Sequence, residues 1–127
     1  MMRALVDTNI LLDILFQRQP FVENAAAIWL ACEQGRFEGY ISAITPVNIF
    51  YIAHKRVGSD QARDLVAAVL TIFRVCPLEH KDLSVALNLP VRDYEDAVQV
   101  ASAQAIGLDM VITRNVDDFT GVAMQVL

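Results

Sequence analysis

The stretch RALVDTNILLDIL, Arg3–Leu15, decides the fold. Arg3–Val6 has the continuous apolar character of a buried strand, and an apolar helical pattern follows over Asn9–Phe16. Between them stand Asp7 and the small polar pair Thr8 and Asn9. An ionised carboxylate at the end of a buried strand is costly unless it is paired, hydrogen-bonded or metal-bound. A partner for Asp7 is therefore expected, and the strand-to-helix step marks a βα unit of an α/β protein.

The chain has 127 residues, suited to one domain spanning 1–127 with a single core. Its composition is 55% hydrophobic, more apolar than an average soluble domain. The longest apolar run, LVAAVLTIF, has nine residues where a membrane span needs roughly 20. Asp7 interrupts the region in which a signal peptide would place its apolar core. Cys32 and Cys76 sit in apolar contexts without metal-ligand spacing, so they are expected to be buried free thiols in a reducing cytoplasm. A net charge of −5 excludes a general nucleic-acid-coating protein, which would be basic. It leaves room for an enzyme whose acids are held together by a divalent cation.

Strands and helices alternate along the rest of the chain. Pro20 opens a helix over Phe21–Gln34, stopped by Gly35, and FEGYIS is a short strand. Thr45 as N-cap and Pro46 at the first helical position predict a helix to about Val57, ended by Gly58. SDQARDLVAAVLTIF is a further helix with a broad apolar face, RVCPL a short strand, and HKDLSVALNL a short helix broken by Pro90. DYEDAVQVASAQAIG is the cleanest helix, with acids in its first turn and Gly107 at its end. DMVIT is a buried strand, RNVDDF a loop and VAMQVL a last strand. This order predicts a three-layer α/β/α sandwich with a mainly parallel central sheet.

In open α/β sheets the ligand site lies beyond the carboxyl ends of the strands. Asp7 occupies that place on the first strand. DMVITRNVDDF repeats it, with Thr113 at the strand end and Asn115, Asp117 and Asp118 just beyond. Asp93, Glu95 and Asp96 crowd the first turn of the preceding helix. Of these, Asp93 and Glu95 read as charges that favour a helix N-terminus, whereas Asp96, next to AVQVA, points toward the sheet. Asp118, beside Phe119, is the better fixed of the loop acids. Asp13, His54 and His80 are read as solvent-facing. Converging carboxylates repel unless a cation intervenes. Hard oxygen ligands suit Mg²⁺ or Mn²⁺, which activate water and stabilise charge on a phosphate. Metal-assisted phosphodiester hydrolysis is the matching chemistry.

LVDTNILLD, DYEDAVQVASAQAIGLDMVITRN and NVDDF, in this order and spacing, resemble the PIN-domain family of small metal-dependent ribonucleases, many of whose bacterial members are VapC-like toxins. The resemblance spans nearly the whole chain. It implies a Mg²⁺- or Mn²⁺-dependent endoribonuclease cutting single-stranded RNA, with Asp7, Asp96 and Asp118 as the metal-binding acids. It also implies Thr8, Asn9, Thr113, Arg114 and Asn115 as supporting or substrate-binding groups. One position departs from the pattern: Asn48 stands where the family usually carries a glutamate, bringing hydrogen bonds but no charge. A catalytically weak or silent PIN-like interaction module is the alternative that this substitution raises.

Other acidic α/β classes fit less well. A receiver-like phosphoacceptor domain wants an acid pair after the first strand, an aspartate after a central strand and a late lysine; here Thr8 follows Asp7, GYISAIT has no aspartate, and no lysine lies beyond Lys81. A haloacid-dehalogenase-like phosphatase wants a second aspartate where Asn9 stands. The apolar faces over Phe21–Cys32 and Leu65–Phe73 exceed what a lone small domain needs, and the resemblance implies a homodimer and a small antitoxin protein to cover them.

Overall fold

The computed structural model describes residues 1–122 and 124–126. The elements run β1 (Arg3–Val6), α1 (Thr8–Leu15), α2 (Val22–Glu33), β2 (Glu38–Ser42), α3 (Ile44–Val57), α4 (Ser59–Ile72), β3 (Arg74–Cys76), α5 (His80–Ala86), α6 (Tyr94–Ala105), β4 (Met110–Ile112) and β5 (Gln125–Val126). A 3-10 turn, Val116–Phe119, precedes β5. The expected last strand, 122–127, is seen over Gln125–Val126, and Ala123 and Leu127 lie outside the described residues.

The described strands form one parallel sheet in the order β3-β2-β1-β4-β5. β1 is central, with Ala4 opposite both Gly39 of β2 and Met110 of β4. Successive strand residues point to opposite faces, and the core divides accordingly. Leu5, Tyr40 and Val111 pack under α5 and α6 with Val98, Ala101 and Phe119. Val6, Ile41 and Ile112 pack on the other face with residues of α1 to α4, including Leu11, Ile49, Val69 and Phe73. These are the three layers of an α/β/α sandwich. Gly39 permits the close packing of β2: a Cβ there would lie 2.6 Å from Cys32 Sγ and 2.8 Å from the Phe73 ring. Cys76 is buried and Cys32 partly so, both as free thiols.

The chain leaves β1 toward β2 and β3 on one side, then returns through α5 and α6 to β4 on the other. The order reverses between β1 and β4, and a crevice opens at the carboxyl ends of those strands. Two local expectations are corrected. Thr45 does not cap α3, which begins at Ile44 with Ala43 before it. Its hydroxyl is buried and meets the Thr8 hydroxyl at 2.8 Å, while Ser42 Oγ accepts from the Ile44 N–H at 3.4 Å. Asp13 does not face solvent: it is fully buried, because Arg114 folds back onto it. Among the described residues, no helix is long and apolar enough to cross a membrane.

Candidate active site

Asp7 follows the last residue of β1 and is 1% exposed. Its backbone N–H continues the ladder to the Ile112 carbonyl at 2.9 Å, which fixes the carboxylate over the gap between β1 and β4. Thr113, at the end of β4, donates its hydroxyl to Asp7 Oδ2 at 2.8 Å. Gln99 of α6 donates Nε2 to Asp7 Oδ1 at 3.1 Å. The cost of burying the charge is thus offset by two directed donors.

Gln99 organises more than one acid. Fully buried within the apolar run of α6, it lies one turn beyond Asp96 and donates the same Nε2 to Asp96 Oδ1 at 3.4 Å. Its carbonyl accepts from the Thr8 N–H at 3.2 Å and the Thr8 hydroxyl at 3.4 Å. One amide therefore sits between the carboxylates of Asp7 and Asp96 and ties both to the start of α1. Asp96 is further set by its backbone N–H, which donates to the Asp93 carboxylate at the N-cap of α6 at 3.1 Å.

Above this layer is a cleft of about 660 Å³ whose lining includes Thr8, Asn9, Asn48, Glu95, Asp96 and Asp118. Asp96 and Asp118 come from α6 and from the 3-10 turn after β4, and Asn48 from α3. Burial, followed by the like charges of Asp7, Asp93, Glu95 and Asp118, pushes the Asp96 carboxyl up to about 7. Burial likewise raises Glu95, opposed by the Asn48 side chain and, less strongly, the Thr8 hydroxyl, which favour its charged form. Glu95 is half-buried on the wall beside Asn48 rather than a solvated helix-end charge.

The remaining residues singled out from the sequence divide. Thr113 lies beneath the cleft and accepts the Asn115 N–H on its hydroxyl at 3.0 Å. Asn115 and Asp117 belong to an adjoining hollow that shares Asp118 with the main cleft. Arg114 points away. Its Nε and Nη2 donate to the two oxygens of Asp13 at 2.7 and 3.3 Å, and its guanidinium stacks 3.9 Å from the Phe21 ring centroid. Gln99 and Glu95 are the site residues that sequence reasoning missed. The available signal for Gln99 was a polar residue inside the apolar run AVQVASA, one helical turn from Asp96.

A family model for the PIN domain matches residues 3–117. The chain belongs to the PIN domain family. No curated protein matches the sequence. Among solved structures, this PIN domain is similar to a toxin–antitoxin complex from Klebsiella pneumoniae, with 28% identity, 98% of this chain and 95% of that chain covered, and a TM-score of 0.69. It also shares its fold with VapBC2 from Rickettsia felis bound to a promoter DNA fragment, at 15% identity over 99% and 98% of the two chains and TM-score 0.74. A third similar structure is VapC20 of Mycobacterium tuberculosis, a sarcin-ricin loop cleaving toxin, at 16% identity over 85% and 86% of the chains and TM-score 0.67.

The acids here offer only hard oxygens: Asp96, Asp118 and Glu95 line the cleft with the Asn48 amide, while the Asp7 carboxylate is buried against Gln99 and Thr113 and does not line it. Among the described residues, no three acidic, histidine or cysteine side chains close on one point as a ready-made cage. All-oxygen donors are of the type that hard divalent cations accept.

Proposed function

We propose that this PIN domain is a Mg²⁺- or Mn²⁺-dependent endoribonuclease that hydrolyses single-stranded RNA, and that it is the toxin of a toxin–antitoxin pair. The observation that carries this reading is the pairing of buried Asp7 with Asp96 about the Gln99 amide, next to an open cleft that Asp96 and Asp118 line. Asp7 and Asp96 would hold the cation directly, and Asp118 would hold it directly or through its waters. The cation, when bound, supplies an activated water and stabilises charge on the phosphate under attack.

The chain's own groups do the rest. Thr113 and Gln99 hold the Asp7 carboxylate in a fixed orientation, so that it need not reorganise as charge moves. Asn48 and Glu95, which line the cleft together with Asp118, offer hydrogen-bonding groups to the attacking water and to a non-bridging phosphate oxygen. Hydrolysis forms a bond from the water oxygen to phosphorus and breaks the bond to the departing ribose oxygen. Glu95 supplies a carboxylate on the side of the cleft where Asn48 is neutral, which favours activity over the silent interaction module.

Resemblance to the toxin–antitoxin complexes supports a small antitoxin protein as partner and a cytoplasmic setting. Exposed Val47 on α3 and Leu70 on α4 are apolar residues available to that partner or to a homodimer. The test is cleavage of unstructured RNA by wild type and by Asp96→Asn, with Mg²⁺, with Mn²⁺ and in chelator. Cleavage by wild type with metal alone is expected; undiminished cleavage in chelator or in Asp96→Asn would overturn the reading.

A further inference from the structure

The upper wall of the cleft carries groups that the acid chemistry leaves unused. Tyr51 follows Asn48 by three residues on α3 and is 62% exposed. It stands on the ridge between the acidic cleft and a shallower apolar groove containing Pro46, Val47 and Phe50. One turn further along, Lys55 places Nζ 5.0 Å from the Tyr51 ring centroid, and His54 meets the ring edge-on at 5.5 Å. Arg92, just before α6, lines the same cleft.

Charge sets the problem these residues solve. The chain carries −5 overall, and the cleft lining includes Asp93, Glu95, Asp96 and Asp118. An incoming polyanion gains no long-range attraction from such a protein. Its affinity must come from contacts that net charge does not oppose. Stacking of a base on an aromatic ring is one, because every base has a π-face and the contact depends little on ionic strength. A base in a duplex has both faces covered by its neighbours, whereas an unpaired base can be splayed onto a ring.

We propose that Tyr51, with Lys55 against its ring, is a stacking shelf that seats one unpaired base of the RNA strand beside the acidic site, while Arg92 contacts a neighbouring phosphate. The inference rests on the RNA-cleaving reading and adds to it where the strand is gripped. A protein partner on the apolar groove is the competing use of Tyr51, and the experiment separates the two.

Binding of a short labelled unpaired oligoribonucleotide is measured by fluorescence anisotropy in chelator, over a series of salt concentrations. Tyr51→Ala should weaken binding about tenfold, with the slope of log affinity against log salt unchanged. Tyr51→Phe and Tyr51→Trp should bind within about twofold of wild type, since both keep an aromatic face. Arg92→Gln should instead reduce the salt slope by about 0.7, the share of one phosphate contact on a single strand. An oligonucleotide made abasic throughout should bind wild type and Tyr51→Ala alike. Unchanged affinity in Tyr51→Ala would overturn the shelf and assign the ring to the protein-facing groove. An equal loss on the abasic strand would overturn it as well. Failure of wild type to bind any RNA both in chelator and with Ca²⁺ added would overturn the RNA reading and the shelf together.

Discussion

Replacing Gln99 tests the construction of the site most directly. Its side chain is fully buried, and its amide makes four contacts that no neighbour can replace: to Asp7, to Asp96, and to the N–H and hydroxyl of Thr8. Gln99→Leu has similar bulk but removes the donor to the Asp7 carboxylate, a charged hydrogen bond contributing about 1.5–3 kcal/mol. It also leaves the Thr8 N–H without its partner, at about 1–3 kcal/mol. A loss of roughly 3–5 kcal/mol follows, or roughly 10–20 °C in Tm for a chain of this size. Gln99→Glu sharpens the test. It keeps an acceptor for Thr8 but puts a carboxylate oxygen in place of an amide nitrogen 3.1 Å from Asp7 and 3.4 Å from Asp96. The new acid must stay protonated when folded, which raises its folded pKa above the unfolded value of about 4.3. The folded state then holds the extra proton, so stability is full below about pH 4.3 and falls as pH rises. Mg²⁺ should restore much of the loss at pH 8, because a cation replaces the proton between the acids. Thermal melting of both variants at pH 5 and pH 8, with Mg²⁺ or chelator, reads all of this. A Gln99→Leu protein melting within 2 °C of wild type (roughly the loss of half a kcal/mol), or a Gln99→Glu protein indifferent to pH, would refute the bridge.

Three further expectations follow from the same geometry. Asn48→Glu adds a carboxylate near Asp96 and Glu95, so it should lower Tm in chelator and tighten Mg²⁺ or Mn²⁺ binding roughly tenfold, a contribution on the order of 1–3 kcal/mol after desolvation; unchanged affinity with a lower Tm in both conditions would mean Asn48 does not face the cation. Asp13→Asn strips the partner from the Arg114 guanidinium, and because Arg114 remains 27% exposed, a loss of roughly 1–3 kcal/mol is expected in chemical denaturation, less than the usual penalty for breaking a fully buried pair; Asp13→Leu combined with Arg114→Met should recover part of it. In chelator, stability should fall as pH rises from about 4 through about 7, because the folded state holds a proton on Asp96 that the unfolded chain has released. Asp96→Asn should flatten that part of the pH–Tm curve, and an unaltered curve would show that Asp96 does not carry the effect.

The sequence alone determined the layers, since the periodicity of a buried strand and of an amphipathic helix is local and survives any tertiary arrangement. From it come the alternation of strands and helices, the parallel sheet, and the placing of Asp7, Asp96 and Asp118 at strand and helix ends. The acids at the start of α6 were legible as a helix N-terminus for the same reason, while the cap that Asp93 makes on the Asp96 N–H is seen only in the structure. Contacts between distant segments were not legible. Asp7 and Gln99 are 92 residues apart, and Asp13 and Arg114 are 101 apart. A glutamine in an apolar helix, an aspartate in an apolar helix and an arginine beside a strand end each carry no mark of their partner. A threonine before a proline has the local meaning of a cap, yet the Thr45 hydroxyl pairs with that of Thr8. Tertiary structure made these assignments because a buried polar group must be satisfied by whichever partner the packed layers bring within about 3 Å. The layers themselves follow from short-range pattern; the hydrogen bonds that orient Asp7 and Asp96 about Gln99 exist only once the sheet has brought β1, β4 and α6 together.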